Sequence, residues 1–150
     1  MQHTITTLEN LISEFTGQLN LVDEETFCHK PNPEKWSKKE ILGHLIDSAQ
    51  TNIRRFIIAQ YDDNPKIVYN QDKWVTASGY QQYATNELIE FWKLLNKHIC
   101  HILKHISTGM EKRVCTTEEE HTIEWLAEDY IKHLKHHIHV IVNLEPVAYP

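Results

Sequence analysis

The feature that most constrains the fold is a set of four long stretches with helical apolar periodicity. Apolar residues recur at spacings of three and four in each stretch, which is typical of an amphipathic helix. The 150 residues contain only four Gly and five Pro, and most of these lie between the stretches. A β-sandwich would require many more turn residues. The sequence therefore predicts an all-α protein with the architecture of a four-helix bundle.

The predicted helices cover residues 4–22, 37–60, 80–106 and 122–144. The second has the clearest start, because Ser37 is followed three residues later by Glu40, the spacing of a capping box. The first shows its buried face most plainly, through Ile5, Leu8, Leu11, Ile12, Phe15 and Leu19.

The connections between these helices are uneven in length. Residues 61–79 form a long loop between the second and third helices, and residues 107–121 form another. Loops of this length in a compact domain are usually functional or mobile. The first loop crosses one end of the bundle or joins up-down-up-down neighbours, and the sequence leaves both open. Length and composition predict one domain over residues 1–150.

Charge and cysteine content limit the range of functions. The formal net charge of −6 disfavours binding to nucleic acid or to an anionic membrane. No apolar run approaches a membrane span, and the N-terminus lacks the pattern of a signal peptide. Three cysteines without C-x-x-C spacing fit reduced thiols, so we expect a cytoplasmic protein.

Eleven histidines make some pairs at helical spacing inevitable, so their direction matters more than their number. On the fourth helix, His137 falls within the apolar arc and His133 lies at its margin, about 40° away. His136 and His139 point elsewhere. An inward i,i+4 pair can bind one metal ion from a single helix. The arc itself consists of Ile123, Ala127, Tyr130, Ile131, Leu134, Ile138 and Ile141.

The second helix carries a polar stripe beside its apolar face, formed by His44, Ser48, Thr51 and Arg55. Such a stripe is typical of a cavity between helices, and His44 could supply a third nitrogen. The alternative is that all three histidines are core-edge residues bonded to carbonyls or carboxylates. From spacing and direction alone, both interpretations stay open.

The third helix provides a contrast in His98, His101 and His105, which have similar spacing. They lie opposite the apolar residues of that helix, so we expect them to be exposed to solvent. A di-iron site is disfavoured, because the E-x-x-H pair Glu118 and His121 falls in a loop.

Two segments together resemble the DinB-like (bacillithiol-transferase-like) family. The first is PEKWSKKEILGHLIDS at residues 33–48, followed by NIRRF at 52–56. The second is DYIKHLKHHI at residues 129–138. With Tyr69 and Trp74 in the long loop, the resemblance covers about residues 30 to 140. The combination of W-S-x-x-E-x-x-x-H with H-x-x-H-H is specific, whereas either element alone is weak.

The resemblance implies a four-helix bundle that holds a divalent metal, zinc or nickel, through His44, His133 and His137. These are the same three residues that the helical geometry selects. Family activities include transfer of a low-molecular-weight thiol to electrophiles, and many members are described as metal-dependent hydrolases. Relatives commonly form dimers, so we expect a homodimer.

The chemistry predicted for this site needs no protein nucleophile, since the metal would activate water or a thiol. We expect Arg55 to bind a carboxylate of the substrate or thiol, with Ser48, Asn52 and Trp74 around it; the alternative is an ordinary surface arginine. Asp129, one turn before His133, is predicted to orient that imidazole through its free ring nitrogen.

We interpret Asp47 as a solvated residue; the alternative is that its carboxylate is a fourth ligand of the metal. The leading hypothesis is a metal-dependent thiol S-transferase or hydrolase acting on a small molecule. A non-enzymatic metal- or ligand-binding bundle and a metal-free structural bundle are the alternatives.

Overall fold

Four long helices dominate the computed structural model, which describes residues 1–142, 148 and 149. They are α1 (Gln2–Leu19), α3 (Lys38–Ile58), α5 (Thr85–Lys104) and α6 (Ile123–Val142), with short helices α2 (Glu24–Cys28) and α4 (Gln71–Ser78) between them. The predicted all-α four-helix bundle is confirmed, with end positions that differ by up to five residues. The predicted end of the last helix at 144 lies outside the described residues. Within the described part, no helix is both long and apolar enough to cross a bilayer.

The long helices do not pack in chain order. In the principal contacts, α1 packs against α5 and α6, and α3 packs against the same two helices. Consecutive helices α1 and α3 therefore lie diagonally across the core, as do α5 and α6. The long connection between α3 and α5 joins neighbours, so the crossing connections are the other two. The simple neighbour order of an up-down-up-down bundle does not apply.

The start of α3 is fixed by the predicted capping box. The Ser37 hydroxyl accepts a hydrogen bond from the Glu40 amide at 3.1 Å, and the Glu40 carboxylate accepts one from the Ser37 amide at 2.8 Å. This satisfies two backbone donors at the helix start. The helix then runs with nearly all of residues 42–49 buried between α5 and α6. Polar residues in that stretch consequently face protein rather than water.

The two long connections are not structureless, in contrast to the prediction. Residues 61–79 include α4, which leads into a 3₁₀ turn at Tyr80–Gln82. Residues 107–121 include a 3₁₀ turn at Met110–Lys112 and most of an antiparallel hairpin, β1 (Val114–Thr116) with β2 (Glu120–Thr122). In the hairpin, Cys115 pairs with His121. These elements are too short to show a clear period in the sequence.

Gly43 allows the connection after α4 to pack directly onto α3. A Cβ atom at this position would lie 2.1 Å from Cδ2 of Tyr80, far inside van der Waals contact. The Tyr80 ring is buried against the helix, and its hydroxyl donates a hydrogen bond to the Asp47 carboxylate. The absence of a side chain at Gly43 therefore determines where this connection lies.

Candidate metal centre and adjoining cavity

Three histidine rings meet between α3 and α6. His44 on α3 is fully buried, and its ring centroid lies 5.0 Å from that of His133 and 4.8 Å from that of His137. The two α6 rings, one helical turn apart, have centroids separated by 4.6 Å. One ligand atom from each residue can be chosen so that all three lie within 4.8 Å of one another. The structure thus brings together the three predicted ligands.

The closest approach in this group is between two ring nitrogens. Nε2 of His44 and Nε2 of His133 are 3.1 Å apart. Two nitrogens bound to one tetrahedral zinc ion at about 2.0–2.1 Å would be about 3.3 Å apart. The pair is therefore already close to the separation that a shared ion requires.

The environment keeps all three rings neutral. Burial lowers the pKa of His44 to about 3 and that of His133 to about 3, and neighbouring histidines add to the effect. Burial likewise lowers the pKa of His137 to about 4, again with a contribution from nearby histidines. Neutral imidazole is the form that binds a metal, because the ligand nitrogen must carry a free lone pair.

The other ring nitrogens of two of these residues are not held by a carbonyl or a carboxylate. Nδ1 of His44 and Nδ1 of His133 are buried and have no hydrogen-bond partner among the described residues. Structural core histidines normally satisfy such atoms with a carbonyl or carboxylate. The hydrogen-bonded core-edge interpretation therefore does not describe these two rings. Three neutral, converging imidazoles suit a divalent ion such as zinc or nickel.

The remaining histidines of the helices lie outside this group. His98 and His101 on α5, and His105 at its C-terminal cap, are exposed, as predicted. His136 and His139 are half-buried beside the group, with their ring centroids 5.6 Å apart. Among the described residues, neither belongs to the cluster of three ligands.

A cavity of about 670 Å³ adjoins the histidine group, and His133 contributes to its wall. Three of the four residues predicted to bind substrate line this cavity, namely Ser48, Asn52 and Arg55. The size is within the range of small-molecule sites. The polar stripe of α3 therefore leads from His44 into an accessible space.

Arg55 is held in place by neutral acceptors. Its Nε and Nη2 donate to the Ile67 carbonyl at 3.2 and 3.0 Å, and its Nη1 donates to the Asn52 side-chain oxygen at 3.4 Å. No ion pair of Arg55 occurs within the described part of the chain. Burial lowers the pKa of this guanidinium, which nevertheless stays charged. The cavity thus contains a positioned cation whose charge is not balanced by a carboxylate in contact with it.

Trp74 is not part of the cavity wall in the described structure, contrary to the prediction. Its ring instead packs edge-to-face on Tyr69, with centroids 5.4 Å apart. Tyr69 does line the cavity, and burial raises the pKa of its hydroxyl. Trp74, on α4, therefore contacts the cavity residue Tyr69 without lining the cavity itself.

Asp129 was predicted to orient His133, but it makes no hydrogen bond to that ring in the described structure. Its carboxylate accepts a hydrogen bond from the Tyr149 hydroxyl at 2.9 Å, while Nδ1 of His133 is without a partner among the described residues. Tyr149 also packs against the His133 ring, with centroids 5.4 Å apart, and lines the cavity. Tyr149 thus donates to the Asp129 carboxylate, which was predicted to accept a hydrogen bond from the imidazole of His133.

Asp47 is fully buried, so the interpretation as a solvated residue is wrong. Its Oδ1 accepts a hydrogen bond from the Tyr80 hydroxyl, and its Oδ2 has no hydrogen-bond partner among the described residues. Burial raises the pKa of Asp47 to about 6, and the hydrogen bond from Tyr80 acts in the opposite direction. The carboxylate is not in the cluster of three possible ligands that the described residues contain.

Sequence reasoning missed the wall contributed by the hairpin and the first turn of α6. Thr117, Glu118, Glu119, His121 and Trp125 all line the cavity. The only signal for this region in the sequence is the Glu118–His121 spacing, whose position in a loop disfavours a di-iron site. Their role depends on the β1–β2 pairing, which a three-residue strand does not reveal in sequence.

Comparison with known proteins places the chain in a family. No curated protein matches it. Among solved structures, YfiT from Bacillus subtilis is similar in fold, with a TM-score of 0.85 and 18% sequence identity over 95% of this chain and 83% of that one. YfiT is described as "a probable metal-dependent hydrolase with an unusual four-helix bundle topology". The sequence model of the DinB superfamily matches residues 7–141. The chain belongs to the DinB superfamily.

Proposed function

We propose that this protein is a metal-dependent enzyme that acts on a small molecule, as a hydrolase or a thiol S-transferase. In this proposal His44, His133 and His137 hold a divalent metal, zinc or nickel. The observation that carries it is the convergence of three neutral imidazoles, one fully buried and two half-buried, beside an accessible cavity. YfiT, similar in fold, supports the same class of activity through its description as a metal-dependent hydrolase.

The bound metal would supply a strong positive charge that makes a water molecule or a thiol more acidic. The chain's own residues would provide binding and orientation. Arg55 is placed to bind a substrate carboxylate, because its charge is unpaired among the described residues. Tyr69, whose raised pKa keeps its hydroxyl protonated, can donate a hydrogen bond into the cavity.

The geometry favours an enzyme over a storage or sensing bundle. A structural or storage site is usually closed by four protein ligands, whereas a catalytic site keeps a coordination position open. In the described residues, only three potential ligands cluster together, and the cavity begins beside one of them. No cysteine lines this cavity within the described part of the chain. In the thiol-transferase alternative, the thiol therefore comes from outside the protein.

A two-stage experiment tests this function. Metal content of the purified protein is measured first, followed by assays with ester and amide substrates and with electrophiles plus several low-molecular-weight thiols. We expect activity in the metal-loaded protein and its loss in His44→Ala, with the helical circular dichroism signal retained. Full activity in metal-free protein would refute the proposal. Stoichiometric metal without activity on any substrate would favour the binding bundle.

The expected dimer and cellular location remain part of the proposal. Phe91 and Leu94 on the outer face of α5 are 36% and 53% exposed, and they provide apolar surface for a second copy of the chain. The three cysteines are free thiols, which fits a reducing cytoplasm.

A further inference from the structure

An aromatic pair forms part of the cavity wall away from α3. The imidazole of His121, on β2, and the indole of Trp125, in the first turn of α6, are stacked with centroids 3.6 Å apart and planes 9° from parallel. The hydroxyl of Thr122 accepts a hydrogen bond from the Trp125 amide at 3.2 Å, which fixes this turn. Both rings line the cavity. The hairpin and α6 thus hold two parallel rings at its edge.

The indole of Trp125 is unusually available for a residue of its type. It is 44% exposed, although one of its faces is covered by His121. Large aromatic side chains gain free energy from contact with flat groups, and a second ring stacked behind limits their rotation. A held, half-open indole at a cavity wall is therefore suited to stack on a planar part of a ligand.

The charges around the cavity indicate how such a ligand would lie. Arg55 contributes a positive charge on the α3 side that makes no ion pair among the described residues. The Asp129 carboxylate also lines the cavity and acts on Arg55 electrostatically, but it accepts a hydrogen bond from Tyr149 rather than contacting the guanidinium. Glu118 and Glu119, at the tip of the hairpin beside the aromatic pair, are exposed carboxylates that line the same space. An anionic group is attracted to the first region and repelled by the second. The end of the ligand that meets Trp125 should therefore not be anionic.

We propose that His121 and Trp125 form a stacking subsite, and that the substrate is a small carboxylate with a planar, uncharged or cationic group at its other end. The carboxylate binds Arg55, and the planar group lies on the indole of Trp125. This inference rests on the proposed function, since it takes the cavity beside the histidines as the substrate site.

Matched pairs of carboxylic acids test the subsite by isothermal titration calorimetry. Each pair has a phenyl or a cyclohexyl ring at the end of the same alkyl chain, and the chain length runs from one to five methylene groups. Both members carry the same carboxylate, so its contacts with Arg55 or with a metal cancel in the ratio of their affinities. We expect the phenyl compound to bind about five-fold more tightly at the best length.

The variants assign that preference to particular residues. Trp125→Leu should remove the phenyl preference, and Trp125→Phe should restore most of it. Phe91→Leu, which changes an exposed aromatic residue on α5, should leave the preference intact. Arg55→Gln should weaken the binding of both compounds and leave the ratio of their affinities unchanged. A second carboxylate on the phenyl ring should weaken binding to the wild-type protein. The double variant Glu118→Gln, Glu119→Gln should bind this dicarboxylate more tightly than the wild type does.

The outcomes separate this inference from the proposed function. Equal binding of phenyl and cyclohexyl compounds, no binding of either, or an unchanged preference in Trp125→Leu would each overturn the subsite. Metal content, measured on the same samples, reports on the histidine site independently. A protein that binds metal without a phenyl preference would keep the proposed function and lose the subsite. The reverse pattern would keep the subsite and lose the metal-dependent function.

Discussion

Two groups of histidines in this molecule have similar spacing along the chain and opposite surroundings. His133 and His137 on α6 are four residues apart and meet His44 in the interior. His101 and His105 on α5 are also four residues apart, with ring centroids 4.3 Å from each other, but both are exposed. Spacing alone would have selected both pairs. The difference arises from where each pair lies relative to the apolar face of its helix.

Burial changes the chemistry of the inner group in three ways. It lowers the pKa of each ring, and it leaves Nδ1 of His44 and of His133 without a partner among the described residues. It also allows a third ligand to come from a different helix. The exposed pair His101 and His105 meets no third ligand in the part of the chain that the structure describes. A pair of histidines at helical spacing therefore indicates a metal site only when a second helix packs against it and supplies another ligand.

Metal binding should show the largest contrast between the two groups. Replacing His133 or His137 with Ala should abolish stoichiometric zinc or nickel, because loss of a ligand exceeds the 10- to 100-fold effect of losing an outer partner. His101→Ala and His136→Ala are matched controls and should retain the metal. The measurement is metal content by mass spectrometry after dialysis. Equal metal loss from His136→Ala would show that the wrong face of α6 was selected.

Acid stability should separate the groups next. The inner rings have folded-state pKa values of about 3 to 4, below the ordinary 6.5, so they favour the folded protein above pH 6.5. Between pH 6.5 and about 4, only the unfolded chain binds their protons. Asp47, whose pKa is raised to about 6, opposes this fall by about 1.4 kcal/mol per pH unit below that pH. The free energy of unfolding of the metal-free protein should therefore fall by up to about 3 kcal/mol per pH unit.

Urea denaturation across this pH range provides the test. Changing His98, His101 and His105 to Gln should leave the acid limb in place, because these rings are exposed in the fold. Added zinc should move the limb to lower pH, since the ion binds the folded state. A metal-free protein whose stability is flat from pH 7 to pH 5 would contradict the buried neutral triad.

Two glycines extend the comparison to packing. Gly43, on the inner side, leaves no room for a methyl group beside Tyr80, whereas a Cβ at Gly17, an exposed position of α1, would meet nothing within 4 Å. Gly43→Ala should destabilise the protein by about 1–3 kcal/mol through overpacking. Gly17→Ala should stabilise it by about 0.5–1 kcal/mol through the better helix propensity of Ala. Thermal and urea denaturation measure both. Similar effects at the two sites would contradict the packing described for α3.

Association should have the smallest influence on the metal site. If a second copy of the chain covers the outer face of α5, Leu94→Glu should convert the dimer to monomer and leave metal content unchanged. Analytical ultracentrifugation at micromolar concentration provides the test, with His44→Ala as a control that should remain dimeric. A wild-type protein that sediments as a monomer would refute the proposed dimer.

The sequence was most informative where periodic segments were long. The four helices could be predicted from apolar periodicity and the capping box at Ser37 from its spacing to Glu40. The three converging histidines could be predicted from their direction on the helices together with the family resemblance. The hairpin could not, and Trp125 was therefore not recognised as a cavity residue. Asp129 was assigned to His133 because the two are one turn apart, yet Tyr149 takes its carboxylate. Contacts made by residues far from any periodic pattern are not encoded in local spacing.

Anomalous X-ray diffraction from crystals grown with zinc, measured on both sides of the zinc edge, tests the central claim most directly. The account predicts one strong peak about 2.0–2.1 Å from a nitrogen of each of His44, His133 and His137. A coordination position not filled by protein should face the cavity that contains Arg55. A peak at His101 and His105 instead, or a fourth protein ligand that closes the ion off from the cavity, would contradict it.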